Sequence, residues 1–236
     1  MITSVEAPDS GYRFITGVSQ YSCGVAALED FTIERVRFAN PVPLKAGFAR
    51  IAEILKEAGR PVAAFGACEL RSPAPFTEEG FGAFNEIYIK TLIEWGVMRD
   101  GVNPVARSNV CPKIDPPIEP SFHAFSFTVP APEAPASLVI AGSGESVEGK
   151  ANYRDYIIRP GDTSPAGMLE KAKFCARRDG APHERVRRRL APDHRGAAVH
   201  GAGRLPDSRE RARPARRVEV RPHLAFQPAA GSGARI

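Results

Sequence analysis

Apolar and polar positions change period several times along the first 130 residues, and each change marks an element. Tyr12–Ala27 mixes β-branched, aromatic and small residues and reads as strand and turn. In Phe31–Asn40 the apolar residues Phe31, Ile33, Val36 and Phe38 alternate imperfectly, which predicts a half-buried strand with a bulge. The period then lengthens. Leu44, Phe48, Ile51 and Leu55 recur at helical spacing, and Gly59, Arg60 and Pro61 end that helix. Pro61–Ser72 is an apolar strand. Thr77 followed by two Glu opens a second helix, expected to bury Phe81, Phe84, Ile87, Leu92 and Trp95.

Two further strands follow, "NPVARSNVCPKI" and "PSFHAFSFTVPA". In the second, Phe122, Ala124, Ser126 and Thr128 alternate with His123, Phe125 and Phe127. The order is β-β-α-β-α-β-β, an α+β unit over 1–131. Pro and Ala crowd the next residues, which read as a linker over 132–137. After it "SLVIAGSGE" reads as a new first strand, "RDYIIRP" as a second, and "GDTSPAGMLEKAKF" as a helix start with Pro in its first turn. The β-β-α pattern has begun again, so 138–174 is taken as the first half of a second, incomplete copy.

Charge divides the chain at the same place. From Cys175 to Ile236 there are 15 Arg, no Lys and six acids, a net +9, whereas the preceding 174 residues carry 17 basic and 21 acidic residues, a net −4. The overall +5 therefore belongs to the tail. The mildly acidic body gives no electrostatic reason to expect nucleic acid as a partner. The tail lacks Lys and has one aromatic, Phe226, so it does not resemble a stacking nucleic-acid arm. Out-of-frame translation of GC-rich DNA overproduces Arg, Ala, Gly, Pro and His, as seen here. An allowed back-translation shifted by one nucleotide within 175–179 restores a helix and two strands. Residues 175–236 are accordingly read as a frame-shifted, disordered Arg-rich tail.

The four Cys, at 23, 68, 111 and 175, form no CxxC pair and match no zinc spacing, and no metal is expected. "AGSGESVEG" is neither GxGxxG nor a P-loop, and no cofactor is expected. The N-terminus is polar, no signal peptide is visible, and no apolar run reaches the roughly 20 residues of a membrane span. The expectation is a cytoplasmic protein that binds neither membrane nor nucleic acid.

The second helix carries "AFNEIYIKTL" and is followed by "NPVARSNV". With the order of elements, this resembles the RidA/YjgF (endoribonuclease L-PSP) family, whose members have an FN-x-x-Y helix followed by a PARS strand. Here those positions are Phe84, Asn85 and Tyr88, then Pro104, Ala106, Arg107 and Ser108, with Val105 inserted. The resemblance covers 12–130 and, less fully, 137–174. It implies a chorismate-mutase-like fold, a trimeric homo-oligomer with small-molecule clefts between subunits, and hydrolysis of reactive enamine, imine or aminomuconate-type carboxylates to keto acids and ammonia. Other members bind small carboxylates without catalysis, and a truncated product without activity is a third outcome. An RNA-acting protein, as the older family name suggests, is opposed by the acidic body.

Arg107 is the foremost candidate for substrate binding, because a guanidinium grips a carboxylate through two parallel hydrogen bonds. It could equally be a surface arginine at a strand end. Ser108 could bond substrate or cap a turn. Asn85 and Tyr88 lie three apart on one helix face, as substrate contacts or as pins of helix to sheet. Tyr21, beside Ser22, would wall the cleft. Water activation needs a base. The family places a Glu in the last strand, but this chain reads "SFHAFSF" there, which leaves His123 as the catalytic candidate and Glu119 just ahead of it.

Overall fold

The computed structural model describes residues 4–98, 100–142, 144, 154–175 and 198–201. Among these residues, nine strands and three α-helices make an α+β arrangement. The strands are β1 (Ser4–Ala7), β2 (Tyr12–Ile15), β3 (Gly24–Ala27), β4 (Phe31–Pro43), β5 (Phe65–Arg71), β6 (Ala106–Val110), β7 (Ser121–Pro130), β8 (Ser137–Ile140) and β9 (Ala198–Gly201). Helices α1 (Leu44–Glu57) and α2 (Glu78–Glu94) follow β4 and β5, and α3 covers 165–175.

The strands form two sheets, ordered β1-β2-β3-β8-β9 and β4-β7-β5-β6. Strand alternation sorts the side chains into layers. Val36, Phe65, Cys68, Leu70, Phe125 and Phe127 meet Phe48, Leu55, Phe84, Tyr88 and Leu92 of α1 and α2 in the main core. On the other side of the four-stranded sheet, Ile33, Ala67 and Ala106 meet Tyr12, Phe14, Val25 and Val139 of the five-stranded sheet. The four-stranded sheet is thus covered on both faces, helices on one and strands on the other. A third cluster, Ile15, Ala26, Leu138 and Ile140, occupies the other face of the five-stranded sheet.

This layering buries both alternating sets of β7: Phe125 and Phe127 are as buried as Ala124 and Thr128. The imperfect alternation in β4 has two sources: Ile33 and Val36 face opposite layers, and the register breaks between Arg37 and Val42, overlapping the stretch expected to bulge.

Helix boundaries follow local chemistry closely. Gly59 adopts φ +66°, and the Arg60 amide donates to the Leu55 carbonyl at 2.8 Å, closing α1 with a left-handed residue that favours glycine. The Thr77 hydroxyl accepts from the Gly80 amide at 3.0 Å and caps α2. Four expectations need correction. Ile87 is 62% exposed, because it lies on the flank of α2 away from the sheet. "RDYIIRP" contains a 3-10 turn over Arg154–Tyr156 in place of a strand. β6 is shorter than the stretch read as strand, because Asn103 and Pro104 lead into it as loop and "CPKI" leaves it. Ser4–Ala7 adds an edge strand, paired with β2, that its mixed pattern did not suggest.

β8 pairs antiparallel with β3 and is fully buried, so the first strand after the Pro-Ala stretch is built into the sheet of the preceding residues. Its Ser137 hydroxyl accepts from the Ile33 amide at 2.8 Å. β9 lies parallel to β8. The remainder of the Arg-rich tail, 176–197 and 202–236, lies outside the described residues. Among the described residues no helix is long and apolar enough to cross a membrane.

Candidate functional site

β6 lies at the edge of the four-stranded sheet, parallel to β5, with Arg107 opposite Cys68 and Ser108 opposite Glu69. Neighbouring residues on a strand face opposite ways. Arg107 faces α2, and Ser108 faces the five-stranded sheet.

Arg107 is only 5% exposed. Its guanidinium carbon lies 4.8 Å from the ring centre of Tyr88, 5.5 Å from Tyr21, 5.6 Å from Phe84 and 5.8 Å from Phe81. Each ring presents negative π density to the cation. Phe84 and Tyr88 are buried and fix the floor, whereas Tyr21 and Phe81 are half-buried and reach solvent. One guanidinium nitrogen, Nη1, is buried without a hydrogen-bond partner.

Among the described residues, the groups near this cation are uncharged. The Tyr88 hydroxyl and the Cys68 thiol lie 3.4 Å apart and share a hydrogen bond. Burial pushes the Cys68 thiol up to about 12, and burial also raises the Tyr88 phenol well above its usual value. Both groups are therefore protonated and neutral near pH 7. Among the described residues no carboxylate pairs with Arg107.

Two local devices hold the cage. On α2, Phe81, Phe84 and Tyr88 recur at i, i+3 and i+7 and line one stripe. The turn bearing Tyr21 is tied to the start of β6 through Asn103, whose side-chain amide donates to Ser19 O at 3.2 Å while its Oδ1 accepts from Val105 N at 2.9 Å. The Ser22 amide donates to Val105 O at 2.9 Å. Within that turn Val18 and Tyr21 exchange backbone hydrogen bonds, and a Cβ on Gly17 would overlap the Tyr21 carbonyl.

The structure therefore gathers Arg107, Tyr88 and Tyr21, and brings Asn85 to the same helix stripe, 4% exposed with Oδ1 unpartnered. Ser22 Oγ is also buried without a partner. Ser108 stands apart from the cage. Its buried, unpartnered Oγ belongs to the opposite face, where Ser108, Arg35, Glu69, Val139 and Ile140 border a cavity of about 10 Å³, room for roughly one water. His123 sits where β7 slips register against β5. Burial lowers its pKa, and Arg71, Arg35 and Arg37 lower it further against an opposing effect of Glu69. Glu69 itself bridges Arg35 at 2.5 Å and Arg71 at 3.6 Å. His123 thus belongs to a cationic cluster distinct from the ring cage. Glu119 is exposed. Cys111 is exposed and Cys68 is buried.

Sequence reading missed Phe81 and Phe84 as ring contacts, Asn103 as the pin of the Tyr21 turn, and Cys68 as the partner of Tyr88. Phe81 and Phe84 carried a signal in hindsight, since they share the Asn85–Tyr88 stripe. Asn103 carried none, because its contacts span the fold.

The candidate site is thus an arginine buried on the edge strand of an α+β scaffold and surrounded by four aromatic rings. Residues 4–186 match the 2-aminomuconate deaminase family CnbZ, and the chain belongs to that family. It is 52% identical over 166 residues to a 2-amino-5-chloromuconate deaminase of Comamonas testosteroni, an alignment covering 70% of this chain. The chain spans 66% of that relative's length. No solved structure matches.

Proposed function

We propose that this chain is a deaminase of aminomuconate-type carboxylates, and that Arg107 anchors the substrate carboxylate. One observation carries the reading: a buried guanidinium with an unsatisfied Nη1 and, among the described residues, no anionic partner. Burying an unpaired ion costs several kcal/mol. Four ring faces offset part of that cost, at about 0.5–2 kcal/mol each. An incoming carboxylate would supply the rest through charge-assisted hydrogen bonds.

The reaction would be hydrolytic. The enamine tautomerises to an imine, water adds to the carbon bearing nitrogen, and the C–N bond breaks. The products are a 2-oxo acid and ammonia, with the oxygen and two hydrogens of water accounted for. Holding the carboxylate beside that carbon fixes the electrophile in place. Low polarity around Arg107 strengthens every interaction with developing charge. The neutral Tyr88 and Cys68 leave the full guanidinium charge for the substrate. The reading assigns no step to His123, whose neighbours are arginines outside the cage.

The resemblance to RidA/YjgF proteins supports an enamine/imine hydrolase and a trimer-like homo-oligomer with the cleft between subunits. Both accord with a site that lies on an edge strand. Ser108, on the opposite face, would support the strand more than the substrate.

Ammonia release from freshly generated 2-aminomuconate tests the reading. Losing one partner of a buried charge pair costs about 2–5 kcal/mol, so Arg107→Gln should lower kcat/KM by roughly 30- to 4,000-fold. Turnover unchanged in Arg107→Gln would refute the anchor. Binding without turnover in the native chain would identify a carboxylate-binding protein in place of an enzyme.

A further inference from the structure

We infer that Asn85 is the acceptor for the substrate's amino nitrogen and discriminates aminated from non-aminated dicarboxylates. This rests on the reading of Arg107 as the carboxylate anchor, and adds to it.

Phe81, Phe84, Asn85 and Tyr88 form one stripe of α2, at i, i+3, i+4 and i+7. Three of the four place rings within 4.8–5.8 Å of the Arg107 guanidinium. Asn85 is the polar fourth. It is 4% exposed, its Oδ1 is buried without a partner, and its side chain makes no hydrogen bond among the described residues. A buried polar atom left unpaired destabilises the fold. Pinning a helix to a sheet would require a bond that Asn85 does not make. Its amide oxygen is left with an unused acceptor capacity.

The chemistry of the substrate class is complementary. Its carboxylate only accepts hydrogen bonds and suits Arg107. The nitrogen on the adjacent carbon bears N–H groups and needs an acceptor. The Tyr88 hydroxyl and the Cys68 thiol already share a hydrogen bond, whereas Asn85 Oδ1 has none. As the C–N bond breaks, the leaving nitrogen gains protons and positive character, and an amide oxygen accepts from it more strongly.

Asn85→Leu removes the acceptor and keeps the bulk; Asn85→Ala repeats the test without demanding new room. The comparison uses 2-aminomuconate and muconate, the same six-carbon dienedioate without the amino group. In both variants kcat/KM for 2-aminomuconate should fall about tenfold, the weight of one lost hydrogen bond. Muconate affinity should stay within about twofold, and Asn85→Leu should melt no lower than the native chain, because the atom it removes is unsatisfied. Equal weakening toward both ligands, unchanged kcat/KM, or a lowered melting temperature in Asn85→Leu would overturn the inference. Arg107→Gln separates the two readings. It should abolish muconate binding. If it does not, the anchor fails and the role of Asn85 fails with it; if it does while Asn85→Leu shows no selectivity, only Asn85 fails.

Discussion

The Arg107 guanidinium is 5% exposed and lies against four aromatic rings, and among the described residues no carboxylate pairs with it. Cys68 and Tyr88 are what leave it so. Were either ionised, it would neutralise the cation from within; burial keeps both protons on. His123 shows the opposite use of burial. Its pKa is lowered from the ordinary 6.5, chiefly by desolvation and next by Arg71. Between the lowered and ordinary values the unfolded chain takes up a proton that the folded chain refuses. Stability from this group is therefore whole above about pH 6.5 and lost as pH falls through the lowered value. Urea unfolding at pH 7.5 and 5.5 should show a drop that His123→Gln reduces; an equal drop in both would remove His123 from the account.

Among the elements, β6, α2 and the Tyr21 turn build the cage, and α1 presses on it from behind. Phe48 of α1 touches the rings of Tyr88 at 5.8 Å and Phe122 at 4.9 Å. The approach is close enough that a Cβ on Gly47 would collide with the fully buried Phe122 ring. Alanine would gain about 1 kcal/mol in helix propensity, against about 1–3 kcal/mol for overpacking. Gly47→Ala should therefore lower unfolding stability by up to about 2 kcal/mol at unchanged m-value. A stabilised variant would show that Phe122 has room to yield.

Elements of this kind were readable wherever their cause is local. The Thr77 cap, the Gly59 stop and the spacing of Leu44, Phe48, Ile51 and Leu55 each act within a turn or two, so the string of letters contains them. Arg107, Tyr88 and Tyr21 were legible through short motifs and the order of strands. The ring cage was not, because Phe81 and Phe84 approach Arg107 only once α2 packs across β6. The opposite facing of Arg107 and Ser108 follows from strand alternation, but which layer each meets depends on a second sheet that no short pattern reveals. The surroundings of His123 were hidden for the same reason: a neutral-range base in the last strand is visible in sequence, but its arginine neighbours from β4 and β5 are not.

At the scale of the molecule, the four-stranded sheet is sealed by helices on one face and by a second sheet on the other. That sealing creates the low-polarity interior in which an unpaired arginine is costly, and therefore informative. β8 completes the second sheet from beyond residue 131, so the residues around Arg107 are backed by the part of the chain that follows the Pro-Ala stretch. The family match, running from 4 to 186, includes both parts. The central claim is that this interior holds Arg107 ready for a carboxylate. Calorimetric titration of muconate into the native chain and into Arg107→Gln tests it most directly. The account predicts saturable one-to-one binding that weakens with added salt and is lost in the variant; no binding to the native chain, or equal binding to both, would contradict it.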